Sequence, residues 1–272
     1  LNAGADRANR PLNLHWERPL PAFYPPLFGA LLGLIIGSFL ATLIVRWPED
    51  RSVVGGRSAC DTCGHPLRAW ELIPVASYFL QRGKCRQCGA RIASDHIATE
   101  LVAGLIGGLA LLVSPDIDGL AGATFGWLLL TLAALDVKHH WLPDRLTVLL
   151  ALSGLAAGLF SLEPGLPDRL IGGIAGFASL ATIAAVYRMI RKRDGLGAGD
   201  PKMLGAIGCW LGWQALPLVI LGASLVGILV AISWRRRGQS VSADSMLPLG
   251  SLMAVAAFPL WLLQTGSGGA LY

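Results

Sequence analysis

The sequence predicts an all-α fold: a polytopic integral membrane protein of about eight transmembrane helices with one sizeable soluble loop. Three observations carry this. The 272 residues are 54% hydrophobic and only 14% charged, where a soluble domain carries about 25% charged residues. The apolar residues fall in blocks near the ~20 that a helix needs to cross a bilayer. The loops between these blocks alternate between basic and non-basic, as the two sides of a serpentine membrane chain do.

Taken in order, residues 1–25 read as a polar, Pro-containing tail. The apolar blocks are 27–47, 98–114, 119–135, 145–161, 169–189, 203–214, 216–234 and 248–264, with 203–214 the shortest. The first is too long for a signal-peptide core, and no small-residue cleavage site follows it. Residues 26–97 group the first span with the soluble loop, 98–264 hold the remaining spans, and 265–272 form a second tail. Several spans carry glycines four apart: Gly29/Gly33/Gly37, Gly104/Gly108, Gly154/Gly158 and Gly172/Gly176. This spacing serves close helix packing in lipid. Neither an internal repeat nor a low-complexity tract is visible. Trp141, Trp210 and Trp213 are expected in the interfacial aromatic belt.

The segment 48–97 carries Arg51, Arg57, Arg68, Arg82, Lys84, Arg86 and Arg91, whereas SPDID at 114–118 has no basic residue. DVKHHWLPDR is basic, EPGLPD is not, RMIRKRD is, the 213–216 junction is neutral, and WRRRG is basic. Lys and Arg accumulate on the cytoplasmic side, so this series predicts cytoplasmic basic loops and periplasmic termini. The net charge of +5 then belongs to membrane anchors, and no nucleic-acid partner is expected.

Four of the five cysteines lie in the soluble loop, as Cys60-x-x-Cys63 and Cys85-x-x-Cys88. Two such pairs about 20 residues apart match zinc-ribbon spacing. Gly64 and Gly89 follow the second cysteine of each pair, as a tight knuckle turn requires. A structural Zn²⁺ would substitute for the core that so short a loop cannot build; paired redox thiols or disulfides are the alternative. Cys209 lies in an apolar block and reads as a packed small hydrophobe.

Two aspartates flank apolar blocks on the same predicted face. Asp136 ends one block in LDVKHHWLPD, and Asp200 precedes another in GLGAGDPKML. A carboxylate this close to hydrocarbon is costly. Asp200 followed by Pro201 reads as an N-cap and N1 pair, and Asp144 before the 145–161 block reads as a cap. Asp136 is expected near a helix C-terminus, where the macrodipole disfavours an anion. On that ground Asp200 is the expected base and Asp136 the expected acid. Gly195, Gly197 and Gly199 give a Cβ-free approach to Asp200, suited to a backbone lying against another chain. His139 and His140 read as a solvated pair at the membrane edge.

At this point the chain resembles the bacterial type IV prepilin peptidases, leader peptidase/N-methyltransferases of pilus and type II secretion systems. The likeness runs over residues 27–264, through GSFLATLIVRWP, both C-x-x-C pairs, IPVASYFLQRGKCRQCGARI, Glu100, LDVKHHWLPDRLT, RDGLGAGDPKMLGAIGCWLGW and PLGSLMA. The resemblance implies a GxGD-type aspartic protease of the bacterial inner membrane. It would remove the short basic leader of prepilins or pseudopilins at the cytoplasmic face, cutting after a glycine. It also implies Asp136 and Asp200 as the catalytic pair, Gly197 and Gly199 as the motif glycines, and Cys60, Cys63, Cys85 and Cys88 as zinc ligands. Gly197, Gly199, Lys202 and Asp144 are the expected substrate contacts. Many members also methylate the new N-terminus with S-adenosylmethionine. This chain departs from the family pattern at Ala41, at SDHIATE before Glu100, at Asp194 and at Pro201. The first two departures bear on methylation. A zinc-stabilised membrane scaffold without chemistry fits the blocks and cysteines but not the aspartates. The presenilin-like group fits less well, because Leu135 rather than Tyr precedes Asp136.

Overall fold

A computed structural model describes residues 21–53, 55, 58–60, 62–160, 162–193, 195–238 and 247–267. Most of the expected N-terminal tail, residues 268–272 of the C-terminal one, and Asp194 lie outside the described residues. Among the described residues the chain forms nine α-helices. These are α1 (Tyr24–Arg46), α2 (Ala76–Leu80), α3 (Ser94–Val113), α4 (Ile117–His139), α5 (Asp144–Leu159), α6 (Leu166–Arg191), α7 (Asp200–Leu211), α8 (Leu216–Arg236) and α9 (Leu249–Gly266). Every expected apolar block is a helix, and α2 is a short addition inside the soluble loop.

Six helices, α1, α3, α4, α6, α8 and α9, are long and apolar enough to cross a membrane. The other two expected spans are shorter. With 16 and 12 residues, α5 and α7 reach only about 24 and 18 Å at ~1.5 Å per residue, short of a ~30 Å hydrocarbon core. Burial explains how α7 is kept. All of its residues except Lys202 are buried, as suits a helix that is apolar on every side. Pro201 at its start and Gly212 at its end, with φ 76°, bound it sharply.

Glycine sets how tightly these helices approach. A Cβ added to Gly29 would run into the backbone of Gly107, and the reverse also holds, so α1 and α3 touch backbone to backbone. Gly172 and Gly208 do the same for α6 and α7. The four-residue glycine spacing is therefore helix packing, as expected. The large apolar side chains left exposed, such as Leu221, Leu225, Ile228 and Leu229 on α8, suit lipid rather than water.

The serpentine path brings the end of α4 and the starts of α7 and α9 to one end of the bundle. At the other end the buried Arg169 of α6, 2% exposed, ties three segments together. Its Nε donates to the Pro164 carbonyl at 2.6 Å, and its two terminal nitrogens donate to the carbonyls of Gly154, Cys209, Leu162 and Glu163 at 2.9 to 3.3 Å. A charge this deep is tolerable only with its donors satisfied. Trp210 departs from the expected interfacial belt. It is 3% exposed, stacks on Phe125 at 4.8 Å and donates its indole N–H to the Leu150 carbonyl. Trp141 and Trp213 are partly exposed, and Cys209 is buried as a small hydrophobe.

Candidate functional site

Asp136 and Asp200 lie 64 positions apart in the chain and meet at one end of the bundle. Asp136, in the last turn of α4, is 6% exposed, and Asp200, the first residue of α7, is 7% exposed. Asp136 Oδ2 accepts the Ser251 N–H at 2.7 Å. Asp200 Oδ2 accepts the Gly197 N–H at 3.0 Å. The N–H of Gly250 faces both carboxylates, and the charge of Asp136 acts on Asp200. The first turn of α9 is thus a bridge between the two acids.

This arrangement changes three local expectations. Asp200 is not the cap of α7: Gly199 takes that position, with Asp200 and Pro201 as the first two helical residues, and the carboxylate turns back to Gly197. Asp144 likewise is the first residue of α5 rather than its cap. Its Oδ1 pairs with Lys202 Nζ at 2.6 Å, joining α5 to α7. Asp136 sits one turn inside α4, and its carboxylate meets backbone donors at the N-terminus of α9. The helix dipoles therefore give no basis for separating an acid from a base, since both aspartates face the start of a helix.

The glycines act by closeness rather than by unusual backbone angles, and none of Gly195, Gly197, Gly199 or Gly250 has a positive φ. A Cβ on Gly197 would stand 3.1 Å from Asp200 Oδ2. One on Gly199 would stand 2.8 Å from Leu142 Cβ, and one on Gly250 would stand 2.8 Å from Leu142 Cδ1 and 2.9 Å from Asp136 Oδ2. Leu142 fills the space between the two backbones. Gly250, Ser251 and Leu142 were not singled out from the sequence. The only signals for them were the quoted segments PLGSLMA, which holds Gly250 and Ser251, and LDVKHHWLPDRLT, which holds Leu142, and neither marked these positions out. His139 and His140 are exposed, as expected.

The four loop cysteines converge. The Sγ atoms of Cys60, Cys63, Cys85 and Cys88 all lie within 4.8 Å of one another, and Cys60 Sγ lies 3.9 Å from Cys88 Sγ. A tetrahedral site with Zn–S near 2.3 Å needs sulfurs about 3.8 Å apart, so the donor set fits zinc. Each pair sits on the same knuckle. Gly64 N–H donates to the Cys60 carbonyl and Gly89 N–H to that of Cys85, at 2.8 and 2.9 Å. Both glycines have φ near 70°, a region open mainly to glycine. Flanking bonds Leu67→Ser58 and Ile92→Gly83, at 2.7 and 2.8 Å, repeat the pattern 25 residues on. This local duplication was not visible as a sequence repeat. The Cys63 N–H, aimed at the Cys60 sulfur, lowers that thiol to about 7, toward the thiolate that a metal binds.

Fold and site together define a polytopic membrane protein with two buried carboxylates at one end and a loop whose four cysteines could hold a metal ion. The bacterial peptidase A24 N-terminal domain matches residues 31–113, and the type IV leader peptidase family matches residues 123–232. The chain is 37% identical over 265 residues to a prepilin leader peptidase/N-methyltransferase of Burkholderia pseudomallei (strain 1026b), covering 86% of this chain and 84% of the relative. Proteins of the same name from Pseudomonas aeruginosa and Aeromonas hydrophila are each 34% identical, over 84% of this chain and 87% of theirs. No solved structure matches. The chain belongs to the type IV leader peptidase family and is a membrane peptidase.

Proposed function

We propose that this protein removes the short basic leader of type IV prepilins or type II secretion pseudopilins at the cytoplasmic face of the bacterial inner membrane, cutting after glycine. Asp136 and Asp200 are the reacting pair. One carboxylate takes a proton from a water held between them, and that oxygen attacks the scissile carbonyl carbon. The other carboxyl protonates the carbonyl oxygen. The tetrahedral intermediate then collapses as the leaving amine takes a proton. The two groups titrate as a unit, so neither role is pinned to one residue. The single observation that carries the reading is the Gly250 N–H facing both buried carboxylates. Arg188, Arg191, Arg235 and Arg236 end α6 and α8 at the level of the pair, which supports a cytoplasmic face by the distribution of basic residues.

The Lys202–Asp144 pair and the glycines of 197–199 border the pair and are the proposed contacts for the substrate backbone. Zn²⁺ on the four cysteines is structural in this reading and holds the soluble loop. S-adenosylmethionine, when bound, supplies the methyl group for the new α-amine. Incubating the purified protein with a prepilin-like peptide tests the proposal by mass. Wild type releases the leader and Asp200→Asn does not; a wild type that leaves the peptide whole would favour a scaffold role instead.

A further inference from the structure

Two backbones close on one leucine beside the acid pair. Leu142 lies in the short link between α4 and α5. A β-carbon on Gly199, which precedes Asp200, would stand 2.8 Å from Leu142 Cβ and 3.0 Å from its Cδ1. One on Gly250, whose N–H faces both acids, would stand 2.8 Å from the same Cδ1, 3.2 Å from Cδ2 and 2.9 Å from Asp136 Oδ2. Real β-carbons essentially never come within 3.0 Å of another heavy atom, so the chain carries only hydrogen on both walls around Leu142. The leucine is fixed from either side. Before it, Trp141 meets Trp47 edge-on at 5.9 Å. After it, Pro143 is buried, with φ −66°, and accepts the Leu146 and Thr147 N–H groups, both at 3.1 Å, as α5 begins. Leu142 itself is only half-buried, so part of its side chain is left to meet a third backbone.

We propose that Leu142 is a specificity-determining residue, restricting the substrate position on the acyl side of the scissile bond to glycine. The proposal rests on the peptidase reading above and assigns its glycine preference to one side chain. The attacked carbonyl carbon must reach the water held between Asp136 and Asp200. The β-carbon of the residue before the cut lies two bonds from that carbon, and the β-carbon of the residue after it lies three bonds away. The residue before the cut therefore brings its side chain closest to the acids, into the space that Leu142 already closes to Gly199 and Gly250. A hydrogen there passes the Leu142 methyls, whereas a methyl group meets the contacts that neither wall of the protein tolerates. Alanine at that position holds the carbonyl carbon back from the pair, and a displacement of ~1 Å can cost on the order of 100-fold in rate. Leu142 needs no polar chemistry for this role. It selects by filling space, and apolar surfaces distinguish one methyl group by about 10–200-fold.

The test uses the purified, zinc-loaded full chain and two prepilin-like peptides that differ only in Gly or Ala before the cut. Mass spectrometry over time gives kcat/KM and the bond cleaved. Wild type should process the alanine peptide about 10–200-fold less well than the glycine peptide. Leu142→Ala, and to a lesser degree Leu142→Val, should raise cleavage of the alanine peptide at the same bond and bring that ratio below about tenfold. A general loosening of the fold would lower cleavage of both peptides together and leave the ratio where it was, so the ratio separates selection from stability. An unchanged ratio in both variants overturns the proposal, as does a wild type that cleaves the two peptides equally well. Loss of glycine-peptide cleavage in both variants also overturns it, because Leu142 would then hold the acids in place rather than choose the substrate. A wild type that cleaves neither peptide sinks the peptidase reading and this inference with it. One that cleaves only the glycine peptide, while both variants gain nothing on alanine, sinks the inference alone.

Discussion

Gly250→Ala isolates the bridge at the start of α9 with a single methyl group. The new Cβ would stand 2.9 Å from Asp136 Oδ2 and 2.8 Å from Leu142 Cδ1, where ordinary contact begins at 3.4 Å. Either α9 or the carboxylate must therefore move by about 0.5 Å, as the shortfall from that contact distance requires. The backbone at 250 has no positive φ to lose, so alanine is conformationally acceptable there. Overpacking of this kind costs about 1–3 kcal/mol, which a bundle of this size should survive. The chemistry is less tolerant, because a displacement of ~1 Å can cost on the order of 100-fold in rate. Half that displacement should lower kcat on the order of 10-fold. Cleavage of a prepilin-like peptide, followed over time in detergent or nanodiscs, gives kcat and KM for wild type and variant. The reasoning predicts a loss in kcat with KM nearly unchanged and zinc content retained. Full activity in Gly250→Ala would refute the claim that the first turn of α9 holds the acid pair.

Two further outcomes follow from the same geometry. Arg169→Met removes the donor to five carbonyls. With each lost buried bond costing about 1–3 kcal/mol, thermal unfolding should shift down by many degrees, and a Tm equal to wild type would contradict the clamp. Cys60→Ser should cut bound zinc well below one per chain by elemental analysis and expose the loop to proteolysis. The helices should keep their circular dichroism, because the bundle packs without the loop.

The sequence carried the helices well because hydrocarbon imposes long apolar runs, and that pattern is local. It did not show how short α5 and α7 are, with 16 and 12 residues, for the same reason. Apolar content does not distinguish a helix that faces lipid from one enclosed by neighbours, and α7 is enclosed. The aspartates and cysteines stood out through their chemistry and spacing, and the structure places each set together. What joins the aspartates was harder to read. The bridge is backbone N–H from Gly250 and Ser251, 114 and 115 residues beyond Asp136, and every residue except proline carries such a donor. Arg169 was missed because an arginine at a helix start looks like an ordinary anchor until its carbonyl partners are assembled around it.

A double-mutant comparison addresses the acid pair most directly: peptide cleavage by Asp136→Asn, Asp200→Asn and the protein carrying both. Residues that act as a unit lose function together rather than additively. Each single variant should lose on the order of 1,000-fold or more, with the double variant no worse than either. A single variant that still cleaves at near wild-type rate, or a double variant whose loss is the product of the two, would contradict it.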